Sequence, residues 1–394
     1  MRILYLIPFF KPYEVGGAEI STYLYSDLLS KGHKVFVLTP NYKHFFDEMK
    51  YENKNFVIYR FAFPFKPKKI MALFDTCIFQ FYLLLQTFFV IKKFNIDLVH
   101  IQSSSMIPGP FFASKLLNKK VIITIRDHGY EFIREGLKKE LKKFSGTKSI
   151  LKPWVAFTVF LNRNLRKLCI KNMNKIVAVS KYRKDCVKRS LGIGYEKINV
   201  SYMLKPKWAE KYKASKTDKK YRLLFLGRLD KAKGIELLLK AFASLKQRNV
   251  ELLIAGNSNV KYYKNFVKNL YIKNVKFLGK VSHKDMKSVY EKADAVVLPS
   301  FGDSLSRVLI EAGCLGKPVI ATDRGGSSEV VINKKTGILV KDLTPEGLAK
   351  GMEYAIRNPK KMKEMGKNIK KLADDLFDPE KNLKIISKIY MELL

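Results

Sequence analysis

At 394 residues the chain is long enough for two domains of ordinary size, and 47% of its residues are hydrophobic, which excludes a disordered chain. Its 75 Lys and Arg against 35 Asp and Glu give a net charge of +40, an excess that draws anionic partners such as nucleic acid, an anionic membrane surface or a polyanionic substrate. Cys77, Cys169, Cys186 and Cys314 are scattered, with no CxxC pair and no His/Cys cluster, which argues for a reducing compartment and against a zinc site or a disulfide framework.

The amino terminus reads MRILYLIPFFKP. Its apolar run is short and no small-residue cleavage site comes after it, so a buried first strand explains it better than a signal peptide, and the expected location is the cytoplasm. Apolar, strand-like runs then alternate with longer amphipathic stretches. In the first half they are RILYLIP, KVFVLTP, FVIYRF, DLVHIQ, VIITIRD and KIVAVS; in the second RLLFLG, VELLIAG, VKFLG, AVVLPS, PVIATD and GILV. Continuous apolar runs mark strands covered on both faces, hence parallel sheets flanked by helices, and two such series predict two doubly wound α/β domains. The Lys-rich segment 205–221 lacks apolar periodicity and reads as a linker. Beyond Asp378, Leu383, Ile386, Ile389, Tyr390 and Leu393 recur at helical spacing and predict a docked terminal helix. The predicted domains are 1–205, 206–375 and a terminal helix over 376–394.

Two segments of the first half bear on a membrane. Residues 70–93 form an almost unbroken apolar stretch of spanning length, interrupted by Asp75, Gln80 and Gln86, with Lys66, Lys68 and Lys69 upstream. A buried or interfacial helix and a true span are both open readings. Residues 134–171 interleave many cations with Trp154, Phe157 and Phe160, the composition of a helix attracted to anionic lipid, or of a solvated face beside one docked apolar helix.

The chemistry collects at strand ends. RLLFLG ends in Gly227, with Arg228 and Lys233 coming before a helix-like run. Glycine lets a backbone approach a ligand, Arg grips a phosphate bidentately, and Lys supplies a compact charge. AVVLPS leads to Asp303 and Glu311, eight residues apart, expected at the start of a helix and two turns along it, about 12 Å by helical rise. One carboxylate there can accept bonds from sugar hydroxyls and the other can clasp the paired hydroxyls of a ribose. PVIATD leads to Gly325, Gly326, Ser327 and Ser328, a turn read as opening a helix and exposing amides to an anion. In the first half, Gly16 and Gly17 precede a helix, and VIITIRD brings Arg126, Asp127 and His128 to a strand end.

The pieces FLGRLDKAKGIELLLKAF, LLIAGN, VKFLGKVSHKDM, ADAVVLPSFGDSLSRVLIEAGCLGKPVIATDRGGSSEVV and TGILV run in order over residues 222–340, and here the chain resembles family 4 glycosyltransferases, retaining group 1 enzymes of the GT-B fold. Residues 16–19 resemble the GGAE loop of the same family. The resemblance implies two Rossmann-like domains facing across a cleft, an acceptor-binding first and a nucleotide-sugar-binding second, with the terminal helix packing back toward the first. It implies a hexosyltransferase-type enzyme (EC 2.4) moving a sugar from a nucleoside-diphosphate sugar to a hydroxyl with retention of configuration. Donor contacts fall on Gly16, Gly17, Arg228, Lys233, Asp303, Ser304, Leu305, Glu311, Gly325 and Gly326; catalytic roles fall on Arg126, Asp127, His128 and Asp303. The family's E-x7-E pair stands here as Asp303 and Glu311, and a histidine common in the family is replaced by Arg126, with His128 two positions later.

No Asp-x-Asp motif is present, so no metal and no cofactor beyond the donor is expected, and leaving-group charge falls on Arg228, Lys233 and helix-end amides. The expected partners are the nucleotide sugar, a glycan or lipid-linked acceptor and an anionic membrane surface on the inner face of the cytoplasmic membrane, within cell-surface polysaccharide or glycolipid synthesis. An epimerase or phosphorylase on the same fold is the alternative chemistry. A nucleic-acid-binding protein is the alternative class, against which no RNP, KH or zinc-finger pattern is found.

Overall fold

The computed structural model describes residues 1–12, 16–41, 48–62, 77–126, 152–211, 220–246, 249–282 and 285–394. Lys66, Lys68, Lys69, Asp127 and His128 lie outside them, as do the side chains of residues 152–160, Trp154, Phe157 and Phe160 included. The chain divides into two units, Met1–Ser201 with Glu380–Leu394, and Tyr202–Pro379.

The first unit holds strands β1 (Arg2–Leu6), β2 (Lys34–Asn41), β3 (Glu48–Asn53), β4 (Phe56–Ala62), β5 (Leu98–Ile101), β6 (Lys120–Ile125), β7 (Lys175–Ala178) and β8 (Ile198–Val200). They form one sheet in the order β3-β4-β2-β1-β5-β6-β7-β8, parallel except where β3 pairs antiparallel with β4. β3 has no apolar run to announce it. Its sequence EMKYEN is largely exposed, and charged side chains suit a strand that closes a sheet edge against further pairing. Helices α1 (Gly17–Leu29), α2 (Cys77–Phe94), α3 (Gly109–Leu116), α4 (Lys152–Lys171) and α5 (Lys181–Leu191) connect the strands.

The apolar stretch near residue 80 resolves into α2, long and apolar enough by length and composition to cross a membrane. Its inner face nevertheless belongs to the core, where Phe79, Leu83, Val90 and Ile91 pack with Leu4, Val99, Ile101 and Ile123. Gln80, which interrupts the run, is a packing device. Its Oε1 accepts from the Gly109 amide at 3.1 Å and its Nε2 donates to the Ser105 carbonyl at 3.0 Å. At that crossing α3 approaches so closely that a Cβ on Gly109 would sit 2.1 Å from the Gln80 carbonyl oxygen. The inner face of α2 is thus packed in the sheet's core, and 33% of the helix is buried.

The second unit contains β9 (Tyr221–Leu226), β10 (Val250–Ala255), β11 (Val275–Gly279), β12 (Ala295–Leu298), β13 (Val319–Thr322) and β14 (Gly337–Val340), in the order β11-β10-β9-β12-β13-β14 and parallel throughout. Helices α6 (Ile235–Ala243), α7 (Val260–Asn269), α8 (Met286–Glu291), α9 (Arg307–Cys314), α10 (Pro345–Arg357) and α11 (Pro359–Leu376) complete it. Strand order reverses between β9 and β12, so the connections leaving these neighbours run in opposite directions and open a crevice beyond their carboxyl ends.

Leu204, just before the segment read as a linker, and Trp208 within it are built into this unit. Arg307 Nη1 donates to the Leu204 carbonyl at 2.7 Å, and the Trp208 ring stacks on Tyr290 with centroids 6.2 Å apart. One aromatic ring and one backbone carbonyl outweigh a Lys-rich composition.

The last helix, α12 (Pro379–Met391), belongs to the first unit. Ile386, Ile389 and Tyr390 are among its buried side chains, as the spacing predicts. Tyr390 Oη lies 2.9 Å from Tyr5 Oη and 2.6 Å from His100 Nδ1, and His100 Nε2 lies 2.7 Å from Thr124 Oγ1. These four residues sit on β1, β5, β6 and α12 and are buried together. Burial, with Arg126 nearby, holds the His100 pKa well below its ordinary value, so the ring is neutral in the folded state.

An unfolded chain binds a proton at this histidine near its ordinary pKa of 6.5, before the native state does. The stabilisation from neutral His100 is therefore complete above pH 6.5 and is lost as pH falls below it, at about 1.4 kcal/mol per pH unit. Urea unfolding across pH 7 to 5 checks this. The His100→Gln variant should be less stable at pH 7 and should lack that part of the slope.

Candidate functional site

At the carboxyl edge of the second sheet the loop after β9 runs from Gly227 to Gly234. Asp230 caps the short turn Lys231–Lys233 by accepting from the Lys233 amide at 3.0 Å. Arg228 is mostly exposed and its Nε is 3.4 Å from Asp230 Oδ2, a contact of the kind worth about 0–1 kcal/mol in water, so the guanidinium is held loosely. Lys233 is more enclosed. Its Nζ donates to both oxygens of Asp303, at 2.6 and 2.8 Å, joining the loop after β9 to the loop after β12 across the strand-order reversal.

Gly234 makes that approach possible. Its φ is +72°, and an added Cβ would fall 1.9 Å from the Pro299 carbonyl oxygen. At Gly227, read from the sequence as letting the backbone approach a ligand, an added Cβ would meet the Phe225 ring at 3.8 Å, and the φ of +150° favours glycine.

Asp303 does not start a helix, because α9 begins only at Arg307. The expected 12 Å spacing along one helix therefore does not apply to Asp303 and Glu311. Ser304 and Leu305, next in the chain, are both buried. Glu311 is buried on the second turn of α9, where Oε2 accepts from the Tyr290 hydroxyl at 2.9 Å and Oε1 accepts from Arg307 Nε at 3.2 Å. Desolvation first, and then the Glu311 charge, raise the Tyr290 pKa well above its ordinary value, which keeps the phenol a donor. A carboxylate offers about four lone-pair sites, so two fixed donors leave acceptor capacity on Glu311.

The Gly325–Gly326 turn differs from its sequence reading. It opens onto the three-residue turn Ser327–Glu329, not an α-helix, and the Gly326 amide donates to the Asp303 carbonyl at 2.9 Å. Gly325, at φ +65°, lies so close that a Cβ would be 1.8 Å from the same oxygen. The glycine pair thus seats the Asp303 loop, and the Gly326 amide is engaged there instead of facing an anion. Glu329 accepts from the Tyr202 hydroxyl at 2.8 Å.

In the first unit, Gly16 is the N-cap of α1, and its amide donates to Glu19 Oε2 at 2.9 Å. The helix start therefore already carries a carboxylate of its own, which satisfies one terminal donor and complements the helix dipole. Arg126, at the end of β6, donates through Nη1 to the Gln102 carbonyl and through Nη2 to Gln102 Oε1, both at 2.7 Å. Thr22 of α1 reaches the same Oε1 at 3.5 Å. Gln102 so gathers the ends of β5 and β6 and the flank of α1. Asp127 and His128 lie outside the described residues.

Arg228, Lys233, Asp303, Ser304, Leu305, Glu311, Gly325 and Gly326 all fall in the second unit, and Gly16, Gly17 and Arg126 in the first. Sequence reasoning missed Tyr290, Arg307, Trp208 and Gln102. The Arg307–Glu311 spacing of four was a legible signal, whereas no motif marks Tyr290, and Trp208 lies in the Lys-rich segment read as a linker.

Two units, each with a parallel doubly wound sheet and its polar residues at the carboxyl edge, define a GT-B fold. Comparison with known proteins agrees. A family model described as Glycosyltransferase Family 4 matches residues 15–202, and one described as Glycosyl transferases group 1 matches residues 206–372. An uncharacterized glycosyltransferase of Methanocaldococcus jannaschii is 27% identical over 96% of both chains. Among solved structures, sucrose-phosphate synthase of Thermosynechococcus elongatus superposes with a TM-score of 0.77 at 19% identity, covering 100% of this chain and 98% of that one. Anabaena HepE in complex with UDP superposes with a TM-score of 0.73 at 19% identity over 100% of both. The chain belongs to the family 4, group 1 glycosyltransferases, and it is a transferase of class EC 2.4.

Because Gly234 combines a left-handed φ with backbone contact, Gly234→Ala should destabilise the protein by more than about 2 kcal/mol. Urea unfolding of the purified variant measures this. A change below about 0.5 kcal/mol would refute the close-packing account of the β9 loop.

Proposed function

We propose that this glycosyltransferase takes its sugar from a nucleoside-diphosphate donor, retains anomeric configuration, needs no metal, and delivers the sugar to a hydroxyl of a glycan or lipid-linked acceptor. The observation that carries the reading is the Lys233–Asp303 pair at the strand-order reversal, with loosely held Arg228 on the same loop. Lys233 meets the donor diphosphate as a point charge and Arg228 grips it bidentately, so two cations stabilise the charge that develops on the leaving group. Because Asp303 already holds the Lys233 ammonium, a carboxylate is placed beside the cation assigned to the phosphate, where it can accept from sugar hydroxyls while Lys233 turns toward phosphate. Glu311, oriented by Tyr290 and Arg307, takes the ribose hydroxyls with its remaining lone pairs.

The relative crystallised with UDP, Anabaena HepE, supports a nucleotide-sugar donor. Retention fits attack from the face the diphosphate leaves, with the departing oxygen taking the acceptor proton and no covalent intermediate. The first unit is assigned the acceptor, and Arg126 a part in contacting the sugar. The net charge of +40 supports work at the cytoplasmic face of an anionic membrane, within surface polysaccharide or glycolipid synthesis.

Arg228→Ala and Lys233→Ala should each lower kcat/KM for transfer by about a hundredfold or more, with unfolding midpoints close to that of the parent. Near-normal transfer by both variants would sink the phosphate assignment. A melting-temperature screen over UDP-, GDP-, ADP- and dTDP-sugars identifies the donor, since a ligand that binds only the folded chain raises the midpoint.

A further inference from the structure

The outer face of α2 carries Ile78, Phe81, Leu85 and Phe89 at spacings of three, four and four residues, and they are 84%, 63%, 48% and 48% exposed. A helix on a soluble surface shows polar side chains on that face. α3, wedged against α2 at Gly109, adds exposed Phe112 and Leu116. Neither helix contains an acidic residue. α2 ends in Lys92 and Lys93, and the Lys93 ammonium lies 5.2 Å from the Phe89 ring. Among the described residues neither lysine is paired with a carboxylate.

We propose that this α2–α3 face is the surface by which the protein lies on an anionic lipid bilayer. Apolar side chains enter the boundary between headgroups and acyl chains, and the two lysines at the carboxyl end of α2 meet the headgroup phosphates. An anionic bilayer satisfies both halves of the face at once, apolar stripe and cationic end. A second copy of the chain in a two-fold dimer satisfies only the first, since it brings the same lysine-bearing, acid-free helices together. Because the inner face of α2 is fixed in the sheet's core, the helix lies in the plane of the interface and does not cross it. The inference rests on the membrane part of the proposed function and assigns it a place in the fold.

The test is co-flotation of the purified full chain with vesicles of phosphatidylglycerol mixed with phosphatidylcholine, and with vesicles of phosphatidylcholine alone. The parent should float with the first and much less with the second. A Phe81→Ser, Leu85→Ser, Phe89→Ser triple variant should partition about tenfold less or weaker still. A Lys92→Glu, Lys93→Glu variant should lose the preference for anionic vesicles, by about fivefold or more per lysine. These side chains lie on the surface, so both variants should keep the parent's melting temperature and its shift on adding nucleotide. If the triple variant floats like the parent, the face is wrong while membrane attachment stands. If the parent floats with neither vesicle, the membrane reading itself fails, and the inference with it. If size exclusion without lipid shows a parent dimer that the triple variant converts to monomer, the occupant is a second copy of the chain.

Discussion

The bond between Lys233 and Asp303 depends on strand order. These residues are seventy positions apart, and they meet only because β9 and β12 lie side by side with their onward connections running in opposite directions. Parallel pairing puts both carboxyl ends on one edge, and the reversal keeps the space above them open. Two further constraints bring the loops within bonding distance. Gly234 lets the β9 loop rest on the Pro299 carbonyl, and Gly325 lets the β13 turn rest on the Asp303 carbonyl. In each case a single Cβ would collide with backbone, which cannot move aside as the end of a flexible side chain can.

The buried carboxylate of Glu311 shows how the same edge handles charge. An ionised group with little access to water is tolerated when donors surround it. Tyr290 and Arg307 supply those donors, and each has a second tie. Trp208 stacks on Tyr290, and Arg307 holds the Leu204 carbonyl. The segment after Ser201 is therefore fastened to the helix that carries Glu311, through the two residues that orient its carboxylate.

In the first unit the polar contacts are structural as much as functional. Tyr5, His100, Thr124 and Tyr390 form a buried chain of hydrogen bonds that ties α12 to three strands. Such a chain stabilises only when complete, because an unmatched polar group in a dry core costs about 1–3 kcal/mol. Arg126, the cation at the carboxyl edge, is anchored on Gln102 and contributes to keeping His100 neutral. Its positive charge therefore bears on the core beneath the edge as well as on anything bound above it.

The two doubly wound sheets were legible in the amino-acid order alone, since a long series of continuous apolar runs is compatible with little else. So was the placement of Arg228, Lys233, Asp303 and Glu311 near strand ends of one domain, and the packing of the terminal helix, carried by the spacing of Ile386, Ile389 and Tyr390. β3 was not legible, because its polar edge position erases the apolar signal, and neither was the docking of Leu204–Trp208, which depends on partners roughly a hundred residues away. The pairing of Asp303 with Lys233, the use of Gly326 to seat the Asp303 loop instead of an anion, and the role of α2 as a core helix with an uncovered apolar face were settled by tertiary structure. The physical reason is the same each time. Periodicity records which face of an element is apolar, whereas the partner of a charge, an amide or an aromatic ring is set by which strands become neighbours.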